Sequence, residues 1–466
     1  MMYKNSNYKY QYVIAVILLL IIWLFAGDIF LHRSPFILPI ICIALLVALM
    51  VIVKPILGLY IIIGGMCLSG GLLSIGDEEN IITFFSDLPL PLNLNLFELL
   101  SLGIIVVLYA VICLKKEIVL FEESRTSHAI YAFSAALVLS WLIYSLRVGS
   151  FEGLYELRRL MYIPLVFIFM INLIKNQEQL KYVINLFIIC TGIKGILGLI
   201  NAAISGKFVF LYSGWAESTL FLTVLFFYVG FKEHYSTHPM VKRIKFFMIP
   251  MALCFLFSSR RTLWGSSLVT LLVYLFFLRR TQRIKFIGFI FCAAIFFAVA
   301  IFFSGNEIVI DEVYSMKNPL EAHTFILRQW EWKNAWEYIK MKPLLGHGLG
   351  SVLLPVVDFK YIFRTGYASM IFHNNYLWIW VKSGLVALAP FLFLIFMWFK
   401  NTYQLYCNSK DPYYKSILLG IFLCIINFII AGFISPTMAE LKLNIWLGFL
   451  FGIVVLIRHF ISAQQQ

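Results

Sequence analysis

The sequence predicts an all-α protein that crosses a membrane many times, and three observations carry that reading. Hydrophobic residues make up 62% of the chain and charged residues 13%, far outside the usual soluble balance. Apolar runs long enough to cross a bilayer recur along the whole length. These runs are continuous and contain Pro, Gly and Phe, whereas the strands of a transmembrane barrel would alternate apolar and polar residues at every second position.

In chain order, a short polar head from Met1 to Tyr10 precedes an apolar run from Gln11 to Gly27. No small-residue cleavage site follows, so this run is read as a retained first span. Further spans are expected at 36–53, 55–75, 95–114, 128–147, 158–174, 182–205, 216–231, 245–259, 262–278 and 286–303. After a long polar stretch come 376–398, 414–432 and 440–457, which makes fourteen; only Lys54 and Pro55 separate the second from the third, so twelve stays open. The chain thus divides into N-terminal spans (1–303), one large loop carrying short helices (304–375) and C-terminal spans (376–466), with no internal repeat.

A net charge of +14 would suit a nucleic-acid partner, but most Lys and Arg lie in short loops between spans, where they act as orientation signals. With the N-terminus in the cytoplasm, twenty of them fall on that side, against eight in the short loops opposite: Arg33, Arg147, Arg158, Arg159, Lys207, Arg260, Arg261 and Lys442. The asymmetry places both termini in the cytoplasm and the 304–375 loop outside, with no nucleic acid as partner. That loop has no cysteine; Cys407 lies in a short basic loop and the others lie in or beside apolar runs, so neither a disulfide framework nor a zinc spacing is present.

The chemistry-bearing residues concentrate on the outer side. Arg158-Arg159 open one span, Arg260-Arg261 occupy a very short turn between two others, and Arg328 lies in the loop. Guanidinium groups at the bilayer rim suit the oxygens of a lipid-linked diphosphate; the structural alternative is that they anchor spans to lipid phosphates, with Arg328 paired to Glu331 one turn on. Phe325, Trp332, Trp336 and Ile339 recur at helical spacing and predict a short helix lying as a lid, its Trp face on the membrane, stopped by a turn at Gly346, Gly348 and Gly350. His373 stands where the loop meets a span and has the pKa range of a general base, with His347 and His323 as competitors and His347 better read as a turn position. Lys194 and Lys382 lie inside spans and must face the bundle interior or a cleft; Glu217 is a candidate partner for Lys194. No carboxylates in the loop are spaced like a magnesium site, Asp311-Glu312 being far from His373, so no metal or other cofactor is expected.

The run Arg328…Trp332…Ala335…Pro343…Gly346…Gly348…Gly350, followed by His373-Asn374-Asn375-Tyr376-Leu377 opening a span that continues Ser383-Gly384-Leu385, resembles the O-antigen ligase and polymerase family of bacterial envelope polysaccharide synthesis. Ser259-Arg260 and Arg158-Arg159 look like that family's other external arginines, while Lys382 departs from the acidic residue often found two positions before the glycine. The resemblance implies a GT-C-like, metal-independent, inverting glycosyltransferase in the bacterial cytoplasmic membrane, with its active site on the outer face. Its donor would be an undecaprenyl-diphosphate-linked saccharide held by the arginines, its base His373, and its acceptor a saccharide or a lipid-linked saccharide. Membrane lipids and other polysaccharide-assembly proteins are the remaining partners it suggests. Polymerase is the leading reading and O-antigen ligase the alternative. A lipid-linked oligosaccharide flippase is the rival of a different class, but it gives no reason for a large outer loop ending in His373; a non-catalytic scaffold gives none for the clustered Arg and His.

Overall fold

The computed structural model describes residues 54–68, 101, 103–107, 125–149, 151, 153–205, 215–256, 258, 260–278, 280, 282–284, 286–288, 323–357 and 372–465. The expected spans 11–27 and 36–53 lie outside these residues, as do Arg33, Asp311, Glu312 and parts of the large loop. The described residues form helices α1 (Pro55–Leu68), α2 (Arg125–Val148), α3 (Leu154–Leu160), α4 (Tyr162–Leu173), α5 (Gln177–Ser205) and α6 (Trp215–His234), then α7 (Pro239–Leu256) and α8 (Arg261–Tyr274). After them come α9 (His323–Met341), α10 (Asn375–Asn408), α11 (Pro412–Ala431) and α12 (Leu441–Gln465), with no strand among the described residues. Five of these, α2, α5, α10, α11 and α12, are long and apolar enough to cross a bilayer.

The most enclosed span is α11, which packs along α6, α10 and α8, while α12 packs on α4 and α2 on α10. Local chemistry sets where these helices begin. Asp411 accepts the Tyr413 N–H at 2.7 Å and Pro412 takes the first helical position, where a missing N–H costs nothing. Asn374 likewise accepts the Leu377 N–H at 3.0 Å and starts α10 directly after His373.

The span predicted over 376–398 is interrupted. Gly384 has φ of 70° and ψ of −175°, which breaks α10 and releases backbone groups from the helical ladder. The 343–348 segment inserts and satisfies them. His347 N donates to Val381 O at 2.9 Å and Gly348 N to Lys382 O at 2.7 Å, while Leu385 N and Val386 N donate to Pro343 O and Leu344 O at 3.0 and 3.1 Å. Non-helical backbone inside an apolar helix needs protein partners of this kind. The approach leaves no room for side chains: a Cβ on Gly384 would lie 2.0 Å from Leu344 O, and one on Gly346 2.6 Å from Gly384 N.

The expected short helix exists as α9, and the side it turns to the protein carries mostly residues other than the Trp face expected on the membrane. Trp330, Glu331, Asn334, Ala335, Tyr338 and Ile339 turn inward, whereas Trp336 is exposed, Trp332 half-buried, and the side chain of Phe325 lies outside the described residues. The cause is the return of the loop: Asn334 Oδ1 accepts the N–H groups of Val356 and Val357 at 2.7 and 2.8 Å, and Trp330 Nε1 donates to Val357 O at 2.7 Å. Ala335, Tyr338 and Ile339 then pack against Leu353, Phe372 and Val381, so α9 docks on its own loop and on α10.

Candidate active site

The inward face of α9 carries Glu331 to the N-terminal end of α10. Its side chain is 5% exposed, and a buried carboxylate needs donors. Three groups supply them: Arg328 Nη1 at 3.1 and 3.3 Å, His373 Nδ1 at 2.9 and 3.1 Å, and the backbone N–H of His373 at 3.0 Å. The Arg328–Glu331 pair read from the sequence is therefore present, and the same carboxylate also grips His373. Sequence reasoning offered Glu331 only as a partner for Arg328, because its contact with His373 is made across forty-two residues by the closing of the loop.

The residues after His373 anchor rather than react. Asn374 Nδ2 donates to Phe433 O at 2.9 Å, Asn375 Nδ2 to Thr437 Oγ1 at 2.5 Å, and Tyr376 Oη to Ile429 O at 3.0 Å, while Met438 N donates to Asn375 Oδ1 at 3.1 Å. They lock the start of α10 to the 432–440 segment between α11 and α12. Gly346, Gly348 and Gly350, all with positive φ, form the turn that enters the break in α10. His347 sits in that turn and donates from Nε2 to Tyr338 O at 2.9 Å; burial pushes its imidazole below the ordinary value, consistent with a neutral structural residue.

The far end of the 432–440 segment gathers the other cations. Arg159 Nη1 donates to Ala439 O at 3.1 Å, Nη2 to Tyr155 Oη, and its guanidinium lies 4.0 Å from the centre of the Tyr155 ring, with Arg158 5.1 Å from the same ring. Arg260 lies 5.4 Å from the Trp215 ring centre and, with Lys442, acts electrostatically on Glu440; the side chain of Arg261 lies outside the described residues. Burial, reinforced by the Glu217 carboxylate, still pushes Glu440 up to about 7. Glu217 forms an ion pair with Lys442 and also acts electrostatically on its expected partner Lys194, which is buried in α5 and donates to Leu68 O at 3.4 Å. Arg328 adjoins His373, and Arg159 and Arg260 stand by residues 439–440 of the segment whose residues 433–438 are bonded to Asn374 and Asn375. Lys382, the departure noted in the sequence, is buried and pairs with Glu156 at 2.9 Å, while Gly350 N donates to the other oxygen of Glu156 at 2.9 Å.

Beside Glu331 and His373 opens a cleft of about 1050 Å³. Gln329, Trp332, Lys333 and Trp336 of α9 and Asn374 form its polar and aromatic end; Leu377, Leu388, Leu392 and Ile395 continue it down α10. The Trp332 indole N–H is buried there with no hydrogen-bond partner among the described residues. The lining residues of α10 lie on both sides of its break at Gly384.

Fold and site together define a polytopic α-helical membrane protein with a carboxylate–histidine pair beside an apolar cleft. Residues 246–392 match the family model described as O-antigen ligase, which supports the family resemblance read from the sequence. The matched stretch holds Arg260, Arg328, Glu331, His373 and most of the groove, and leaves Arg158 and Arg159 outside it. No curated protein matches the chain.

Proposed function

We propose that this protein is a glycosyltransferase that polymerises undecaprenyl-diphosphate-linked oligosaccharide units at the outer face of the bacterial cytoplasmic membrane. The observation that carries the reading is the Glu331–His373 pair next to Asn374, which lines the polar end of an apolar cleft running down α10. The groove suits a polyprenyl chain, and the cations around 439–440 suit a diphosphate at headgroup level. In the reaction, His373 Nε2 takes the proton of the acceptor hydroxyl. The acceptor oxygen attacks the anomeric carbon from the side opposite the leaving group, the carbon–oxygen bond to the diphosphate breaks, and the centre inverts. Arginine charge stabilises the departing diphosphate, and the residues assigned to the step call for no metal.

The matched description, O-antigen ligase, favours a second reading that differs in acceptor alone: glycan transfer to another lipid. One preparation tests both. Purified protein given lipid-linked saccharide extracted from cells lacking the chain yields lengthening lipid-linked chains if it is a polymerase, and product only with an added lipid acceptor if it is a ligase. His373→Ala should lower either product about 10²–10⁴-fold with membrane insertion intact. Product at the wild-type rate would remove the base.

A further inference from the structure

We propose that Glu331 is a positioning residue for this reaction, holding His373 in the one tautomer and orientation in which Nε2 is the base. The proposal rests on the reading of His373 as the base, and three features of the pair carry it. A carboxylate only accepts hydrogen bonds, so Nδ1, within 3.1 Å of both oxygens of Glu331, carries the hydrogen, and the lone pair of a neutral ring is on Nε2. Glu331 also accepts the backbone N–H of His373 at 3.0 Å, so ring and main chain are gripped by one group and the ring cannot turn without breaking a bond. Arg328 Nη1, donating to the same carboxylate at 3.1 Å, fixes Glu331 from its other side and keeps it facing the ring.

The scaffold behind the carboxylate is stiff. Glu331 lies three residues before Asn334, which is bonded to two backbone N–H groups of the returning loop, and four before Ala335, which is fully buried. A group held in this way loses little freedom when chemistry starts, and its attraction to the ring grows as the imidazolium forms. The same bonds could serve only to staple α9 to α10, so the test must separate staple from positioning.

Glu331→Gln is the discriminating variant. It keeps size and hydrogen bonding but can offer an N–H to Nδ1, which favours the opposite tautomer. With purified protein and lipid-linked saccharide extracted from cells lacking the chain, we expect kcat to fall about 10²–10⁴-fold while KM moves less than about 3-fold and the melting midpoint stays near wild type. The acidic limb of the residual rate should move to lower pH, because the imidazolium loses its counter-charge. Glu331→Asp should restore part of kcat. Wild-type kcat with an unmoved limb in Glu331→Gln would overturn the proposal, as would a loss of rate that tracks a loss of melting temperature and is not relieved by Asp. His373→Ala, run alongside, keeps two failures apart: a fully active His373→Ala sinks the base itself, whereas an inactive His373→Ala beside a fully active Glu331→Gln sinks only the positioning role.

Discussion

Glu440 follows helix α11 and precedes α12 in a pocket of mixed charge, and burial sets its behaviour before Glu217, Lys442 and Arg260 modify it. An acid whose folded pKa is raised supports the fold fully below its unfolded pKa and withdraws that support as pH climbs through the folded one. For Glu440 the window runs from the ordinary 4.5 to about 7. Glu440→Gln, which mimics the protonated form, should therefore raise the melting midpoint at a pH of about 8 and flatten its decline across that window. An unchanged decline in the variant would show that another group governs it. Residues of this kind were only partly legible in the sequence. His373 and Arg328 stand in a recognisable order of motif residues, and Lys382 was placed in the interior by the cost of a charge inside a span. Its partner Glu156 lies 226 positions away, and no local spacing can reveal a contact that only tertiary closure makes.

Among the elements, the broken helix α10 decides whether the site exists, because the turn that follows α9 is pinned inside the break. Gly384→Ala would place a Cβ against the Leu344 carbonyl at a positive φ, and Gly346→Ala would press on the same junction. The backbone conformation alone costs of order 1–3 kcal/mol for a non-glycine residue, before any overlap. Both variants should melt well below wild type and lose product. Gly265→Ala in α8, where a Cβ meets nothing within 4 Å, should leave both unchanged. Equal melting of Gly384→Ala and wild type would mean that the inserted turn contributes little. Glycines at 346, 348 and 350 marked a turn in the sequence, yet not its destination, since hydropathy reads 376–398 as one uninterrupted span. The protein-facing side of α9 was hidden for a related reason: the bonds of Asn334 and Trp330 to residues 356–357 form only when the loop returns, and no local spacing marks them.

At the scale of the whole molecule, hydropathy suffices to predict spans, because a bilayer demands long apolar helices whatever their partners, and the described helices fall where those runs were found. Which side of the membrane holds the site is a separate question, on which the charge distribution sets the expectation. The loops assigned to the cytoplasm carry twenty Lys and Arg against eight opposite, and the segment from Asn408 to Lys415 contributes two of the twenty. Lys340 is exposed on α9, which packs along the half of α10 between His373 and the break at Gly384; Lys410, also exposed, follows the far end of α10. Single cysteines at these two positions, in a background without native cysteines because Cys407 is itself exposed, report on the two sides. An impermeant thiol reagent should label Lys340→Cys in intact cells, or in spheroplasts where an outer membrane blocks access, and should reach Lys410→Cys only once the cytoplasmic membrane is opened. Since Lys340 lies on the helix whose Glu331 holds His373, the first labelling also bears on the side of the reaction. The reverse pattern would put the carboxylate–histidine pair in the cytoplasm, where a polymer destined for the cell surface would be built on the wrong side of its own barrier.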